Sequence, residues 1–165
     1  MMSYPQPDDE QDRQAAVARL DGRAPGAQDT WDDITRLASL ICETPMALVT
    51  VIDGARQWFM SQVGMDATET TRDVAFCAHA ILEPDRPMVI PDASEDPIFA
   101  TNPAVTEAGG IRFYAGLPLR CGEQPLGTLC VVDRRPRELR ADQLEALTLL
   151  ARIAERQFES ATAID

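Results

Sequence analysis

The residues whose types could do chemistry are few: four cysteines, a single histidine, scattered aspartates, and an Arg and Tyr two positions apart in one apolar stretch. Cys77 and His79 also stand two apart, and on a helix side chains at that spacing point about 200° away from each other. That geometry disfavours both shared metal ligation and activation of the thiol by the imidazole. Zinc takes about four ligands, and Cys42, Cys121 and Cys130 have no ligand spacing relative to the pair. A buried cysteine and a histidine satisfied by a hydrogen bond is the plainer reading. A thiol redox enzyme would need an accessible, acidic thiol with a resolving partner, whereas apolar runs surround Cys77 and Cys130 and predict inert thiols.

Asp53, Asp92 and Asp96 fall at strand ends and turns, where Asp commonly caps the local backbone. No partner base accompanies them. Arg112 and Tyr114 share one strand face by period two and look into one cavity, with Trp58, Phe59, Phe76 and Phe99 as walls. An apolar cleft with one Arg and one Tyr hydroxyl suits a small ligand, an anionic one included. The competing account pairs Arg112 with one of the aspartates beside a core aromatic cluster. The candidate ligand contacts are therefore Trp58, Phe76, Cys77, His79, Asp92, Phe99, Arg112 and Tyr114. No catalytic residue and no metal ligand is expected, and the cofactor is unknown.

The stretch from Arg72 to Asp133 must position these groups. In IRFYAGLPLR, Ile111, Phe113, Ala115, Leu117 and Leu119 fall on one side of an extended segment, with Arg112, Tyr114, Gly116, Pro118 and Arg120 on the other. After a turn at Gly122, LGTLCVVD is apolar on nearly both faces, as a buried strand should be. So short a connection predicts an antiparallel hairpin at the middle of a sheet.

Upstream, residues 1–12 are polar and acidic and read as a flexible tail. RQAAVARLDG predicts a short helix over 13–22 stopped by Gly22, and RAPGAQD a loop set by Pro25 and Gly26. Thr30 and Asp33 have capping-box spacing, followed by an apolar stripe of Ile34, Leu37, Ala38 and Ile41 that ends at Thr44-Pro45. MALVTVID predicts a central strand, and the half-polar RQWFMSQVG its hairpin partner near an edge. MDATETTRD reads as a loop, VAFCAHAIL as a short helix and PMVIPD as a short strand from Pro87. ASEDPIFATNPAVTEAGG reads as a long excursion with one helical turn near Pro103 to Glu107, and such loops on rigid sheets are where binding usually sits. A final helix runs from Ala141 to about Thr162, with Leu144, Leu147, Ala151, Ala154 and Phe158 in one row and Ala146, Leu150 and Ile153 in a second. The second row either meets a partner chain or shares the core groove.

At 165 residues the chain is one domain's worth. Its net charge of -12 and pI near 4.4 argue against nucleic acid and anionic membranes as partners. No segment reaches the ~18 apolar residues of a membrane span, and the polar, acidic N-terminus is no signal peptide. A cytoplasmic protein without a disulfide framework is the expectation.

The phrases WDDITRLASLICETPMALVTVIDGARQWFMSQVG, TRDVAFCAHAIL, PMVIPDASEDPIFATNPAV, IRFYAGLPLR and LGTLCVVDRRPREL together resemble the GAF domains of bacterial sensor kinases, cyclic-di-GMP enzymes and other signalling proteins. The resemblance spans about Arg13 to Glu159. It implies an α+β, PAS-like GAF fold: a central antiparallel sheet of about five to six strands, terminal helices on one face, loops and short helices on the other. It implies a single domain over 13–162, a small-molecule pocket on one sheet face, and terminal helices that commonly form a homodimer. The Asn-Lys-Phe-Asp-Glu set of cyclic-nucleotide-binding relatives is not matched, since Asn102 is followed by Pro103-Ala104-Val105 and the chain has no lysine. Bilin-binding relatives hold the chromophore with adjacent Cys and His, which Ala78 separates here, and the glycine- and cysteine-rich motifs of free methionine sulfoxide reductases are not visible. The MMSY start and the end at Asp165 read as a stand-alone protein. The expected function is a non-enzymatic small-molecule-sensing or regulatory domain of bacterial signal transduction, signalling through its terminal helices to a protein partner. The rivals are a small thiol redox enzyme using Cys77 and a ligand-free protein-interaction module.

Overall fold

MALVTVID, apolar on both faces, folds as strand β1 (Met46–Asp53) and is buried along nearly its whole length. The structure, a computed structural model, describes residues 4–20 and 27–162. The expected stop at Gly22 and the loop at Pro25 and Gly26 lie outside the described residues. The remaining strands are β2 (Arg56–Val63), β3 (Glu69–Thr71), β4 (Met88–Ile90), β5 (Phe113–Cys121) and β6 (Gln124–Asp133). They form one six-stranded sheet in the order β3-β2-β1-β6-β5-β4, antiparallel at every pairing. The β5-β6 hairpin turns at Gly122, whose φ of 64° suits glycine. β6 therefore lies between β1 and β5, the position its two-faced apolarity demands.

Three helices cover one face: α1 (Glu10–Ala18), α2 (Ala27–Cys42) and α5 (Ala141–Thr162). Their core joins Val17, Trp31, Ala38, Leu147 and Phe158 to Val49, Ala115, Leu119 and Val131 of the sheet. Two short helices, α3 (Cys77–Ala80) and α4 (Pro103–Thr106), lie over the other face with the long connections around them. There Met46, Leu48, Ile52 and Val132 meet Phe76, Ile81, Phe99 and Val105. This is the expected α+β arrangement.

Several local expectations are corrected. The tail ends before residue 12, because Glu10 opens α1 and pairs with two fully buried arginines, Arg13 at 2.8 Å and Arg72 at 2.6 Å. Arg13 also donates to the Ile52 carbonyl at 2.8 Å, so α1 is clamped to the strand ends. α2 begins before Thr30, which places the capping-box pair inside the helix. Its buried stripe is Trp31, Ile34, Thr35, Ala38 and Cys42, leaving Leu37 exposed. MDATETTRD is not wholly loop: Glu69–Thr71 pairs with the start of β2, so β2 is one strand in from the edge. In α5 the second apolar row divides, Leu150 buried and Ile153 exposed. Among the described residues no helix is long and apolar enough to cross a membrane.

Candidate functional site

On the sheet face away from the terminal helices a cavity of about 310 Å³ opens over β1, β6 and β5. Its floor is polar, although every strand beneath it reads as core. Thr50 and Thr128 face each other across the β1-β6 ladder, their hydroxyls 3.2 Å apart. Cys77, at the first turn of α3, brings its Sγ to 3.0 Å from the Thr128 hydroxyl and 3.2 Å from the Tyr114 hydroxyl. Cys130 lies beside them. All five are almost wholly buried.

Phe59, Met65, Phe76 and Ile111 are among the walls, and exposed Glu107, Gly109 and Arg134 lie at the mouth. On the β2 side, Gln57 donates its Nε2 to the Thr70 hydroxyl at 3.1 Å. Its Oε1 is buried and, among the described residues, accepts no hydrogen bond, although Gln57 lines the cavity and is only 6% exposed. An acceptor in that state loses water without replacement.

Burial pushes the Cys77 thiol up, but hydrogen bonds from Cys130, Thr128, Thr50 and Tyr114 outweigh it and bring the group down from 9.0 to about 7. Cys130 moves the opposite way, raised well above 9.0 by its bond to Cys77 and then by burial. Tyr114 is raised well above 10.0, by burial first and by the two thiols next, so its hydroxyl stays a donor. Cys77 is buried, at 3% exposed, and the polar groups around it arrive from three distant strands.

Of the candidate contacts, the cavity brings together Phe76, Cys77 and Tyr114. Phe99 stacks behind Phe76 with centroids 4.3 Å apart, and His79 meets Phe99 edge-on at 4.9 Å. Burial lowers the His79 pKa, with Asp96 opposing. The other three lie elsewhere. Trp58 packs toward the helical face and donates to Asp53 at 3.2 Å, while its neighbour Phe59 points into the cavity. Asp92 accepts from the Ser94 backbone at 3.0 Å and the Ser94 hydroxyl at 2.6 Å, a local cap. Arg112 does not look into the cavity with Tyr114, because β5 starts at Phe113 and the alternation does not reach back to it. It donates instead to the carbonyls of Val105 at 2.8 Å and Ile111 at 3.0 Å, pinning the excursion to the sheet. Sequence reasoning missed Gln57, Thr50 and Thr128. The two threonines were signalled by standing alone on otherwise apolar faces of central strands.

A family model described as GAF domain matches residues 26–158. A cyclic di-GMP phosphodiesterase of Pseudomonas aeruginosa is 43% identical over 138 residues, which are 83% of this chain and 23% of that protein. The chain thus spans about a quarter of the length of that curated relative. The GAF domain of an Acinetobacter phosphoenolpyruvate-protein phosphotransferase superposes with a TM-score of 0.70 at 14% identity, covering 96% of this chain and 97% of the other. A free methionine-R-sulfoxide reductase from Neisseria meningitidis, solved with its substrate, superposes at 0.62 with 16% identity, covering 99% of each chain. At these identities the two structures share the fold with this chain.

Proposed function

The chain belongs to the GAF domain family, and from that premise we propose that it is a regulatory domain of bacterial signalling which binds a small molecule over Thr50, Cys77, Tyr114 and Thr128. The cavity carries this reading. This face keeps a solvent-connected cleft of about 310 Å³ beneath the excursion, lined mostly by apolar side chains. Apolar walls with a few convergent polar groups are the usual make-up of a ligand site. Phe59 and Phe76 supply the walls, and the hydroxyl and thiol groups fix orientation.

The route outward runs through Arg72. Val74 to Cys77 line the cavity, and the preceding Arg72 is gripped by Glu10 of α1. A ligand that moves this wall shifts α1 against the strand ends, a displacement of terminal helices that a homodimer can read. α2 and α5 leave Leu37, Leu40, Leu149 and Ile153 exposed, and a second copy is the partner proposed for them. The similarity to part of a cyclic di-GMP phosphodiesterase supports placing the domain in the cytoplasm beside an enzyme of that signalling system, as its regulator and not its catalyst.

The test is a native mass spectrum beside a denatured one, after incubation with a panel of cell metabolites. A non-covalent mass excess supports the ligand and a doubled mass the homodimer. A bare protein with every extract fraction overturns ligand sensing, and substrate turnover lost on changing Cys77 overturns the regulatory reading.

A further inference from the structure

We propose that the cavity takes a small zwitterion, an α-amino acid with a large apolar side chain, held at the mouth by Glu107 and Arg134; this rests on reading the cavity as a ligand site. Among the described residues that line it, only these two side chains are a carboxylate and a guanidinium, one charge of each sign. Both are exposed, and among the described residues neither pairs with the other or has another side-chain partner. The mouth is thus locally balanced in a chain of net charge -12.

Both charges stand on fixed backbone. Glu107 ends the α4 turn, its N–H donating to the Pro103 carbonyl at 3.1 Å and its carbonyl accepting from Gly110 at 3.0 Å. Arg112 ties the same excursion to the sheet through the Val105 carbonyl at 2.8 Å. Arg134 follows the end of β6, where the adjoining carboxylate is already engaged: Asp133 accepts from Arg137 at 2.9 Å, and Arg135 lies 3.8 Å from it. A carboxylate alone would answer Arg134 and be repelled by Glu107, and an amine alone would do the reverse. A ligand carrying both groups answers both. The α-carbon of an amino acid bears the two charges together and sends its side chain away from them. Directed inward, that side chain meets Phe59, Met65, Phe76 and Ile111, walls that suit an aromatic or long aliphatic group. A cleft of about 310 Å³ has room for one as large as an indole.

The test is isothermal titration calorimetry of the native protein with L-tryptophan, tryptamine and indole-3-propionate, which share one apolar body and differ in charge. L-tryptophan should bind about fivefold tighter than either single-charge analogue. Arg134→Gln should weaken L-tryptophan and indole-3-propionate about fivefold and leave tryptamine no weaker. Glu107→Gln should weaken L-tryptophan and tryptamine to the same extent and leave indole-3-propionate no weaker. Variants that weaken all three ligands alike have lost cavity shape instead of a charge contact, and that result overturns the assignment. So does L-tryptophan binding no tighter than its analogues, or no binding of L-tryptophan, L-phenylalanine or L-methionine. In that event a non-covalent ligand of another class, found by mass spectrometry, removes the amino-acid inference alone, whereas a bare protein with every extract fraction removes the sensing reading as well.

Discussion

Gly116 is glycine because of Tyr114. A Cβ built there would lie 2.1 Å from the Tyr114 hydroxyl and 2.5 Å from the ring carbon bearing it, so the ring leans along β5 through space that any side chain would fill. Tyr114 is 2% exposed and cannot swing aside into solvent. Gly116→Ala should therefore cost about 2 kcal/mol, read as a lower urea midpoint, and should separate the tyrosine from Cys77, read as changed near-ultraviolet circular dichroism. The phrase RFYAGLPL thus announced both the strand and the tyrosine's place on it. Cys77 was likewise legible as part of a short helix, and Phe76 stands just before it. Their chemistry was not, because Thr50, Thr128 and Cys130 come from strands more than fifty positions or nearly thirty positions away in sequence, and no local pattern encodes that meeting. Arg112 misled for the opposite reason: period-two alternation was extended one residue beyond the point where the strand begins.

The elements were legible to the extent that burial wrote a period into them. β1, β5, β6 and α5 carry long apolar patterns and stand where those patterns put them. β3 has three polar residues, and no hydrophobic signal marks it; backbone pairing with Arg56 to Trp58 alone makes it a strand. In β2 a bulge opposite Val49 and Thr50 turns Met60 and Ser61 both toward the helical face, which a strict alternation misassigns. At the sheet's centre, Gly127 of β6 passes so close to β1 that a Cβ would lie 1.8 Å from the Thr50 carbonyl oxygen. Gly127→Ala should cost about 3 kcal/mol, since backbone on both sides must move, and chemical denaturation measures it. α1 was legible as a helix but its anchor was not, because the partners of Glu10 are buried arginines. Burial pushes the Glu10 carboxyl up, yet hydrogen bonds from Arg13 and Arg72 outweigh it and hold it at about 2 against 4.5. A depressed carboxyl stabilises the fold fully above 4.5 and loses that contribution as pH falls through about 2. The parent should thus exceed Glu10→Gln in urea midpoint at pH 6, and the gap should close between pH 4.5 and 2. A constant gap would place the effect in packing instead of charge.

At the scale of the whole molecule the two sheet faces do different work: one is filled by helices, the other keeps a cavity. At the edge of the sheet α1 meets Arg72, which precedes the Val74 to Cys77 wall of the cavity, through the Glu10 ion pair. The outward surface those helices present is unusual for a chain of net charge -12. Leu37 and Leu40 of α2 are 46% and 62% exposed, and Leu149 and Ile153 of α5 are 51% and 40% exposed. The two helices run antiparallel, fixed at one end by Trp31 against Phe158 and at the other by Gln143 donating to the Ile41 carbonyl. That pairing brings Leu37 and Leu149 to the same level along the helices. These exposed apolar side chains on two adjacent helices are the surface on which the proposed second copy would sit. Leu37→Glu with Leu149→Glu should leave the fold intact, because neither side chain is in the core, while adding like charges to both sides of a symmetric contact. The expected outcome is a parent of doubled mass and a monomeric double variant by sedimentation equilibrium, with unchanged far-ultraviolet circular dichroism. A double variant that stays dimeric moves the contact off these helices, and with it the route by which the cavity would be read.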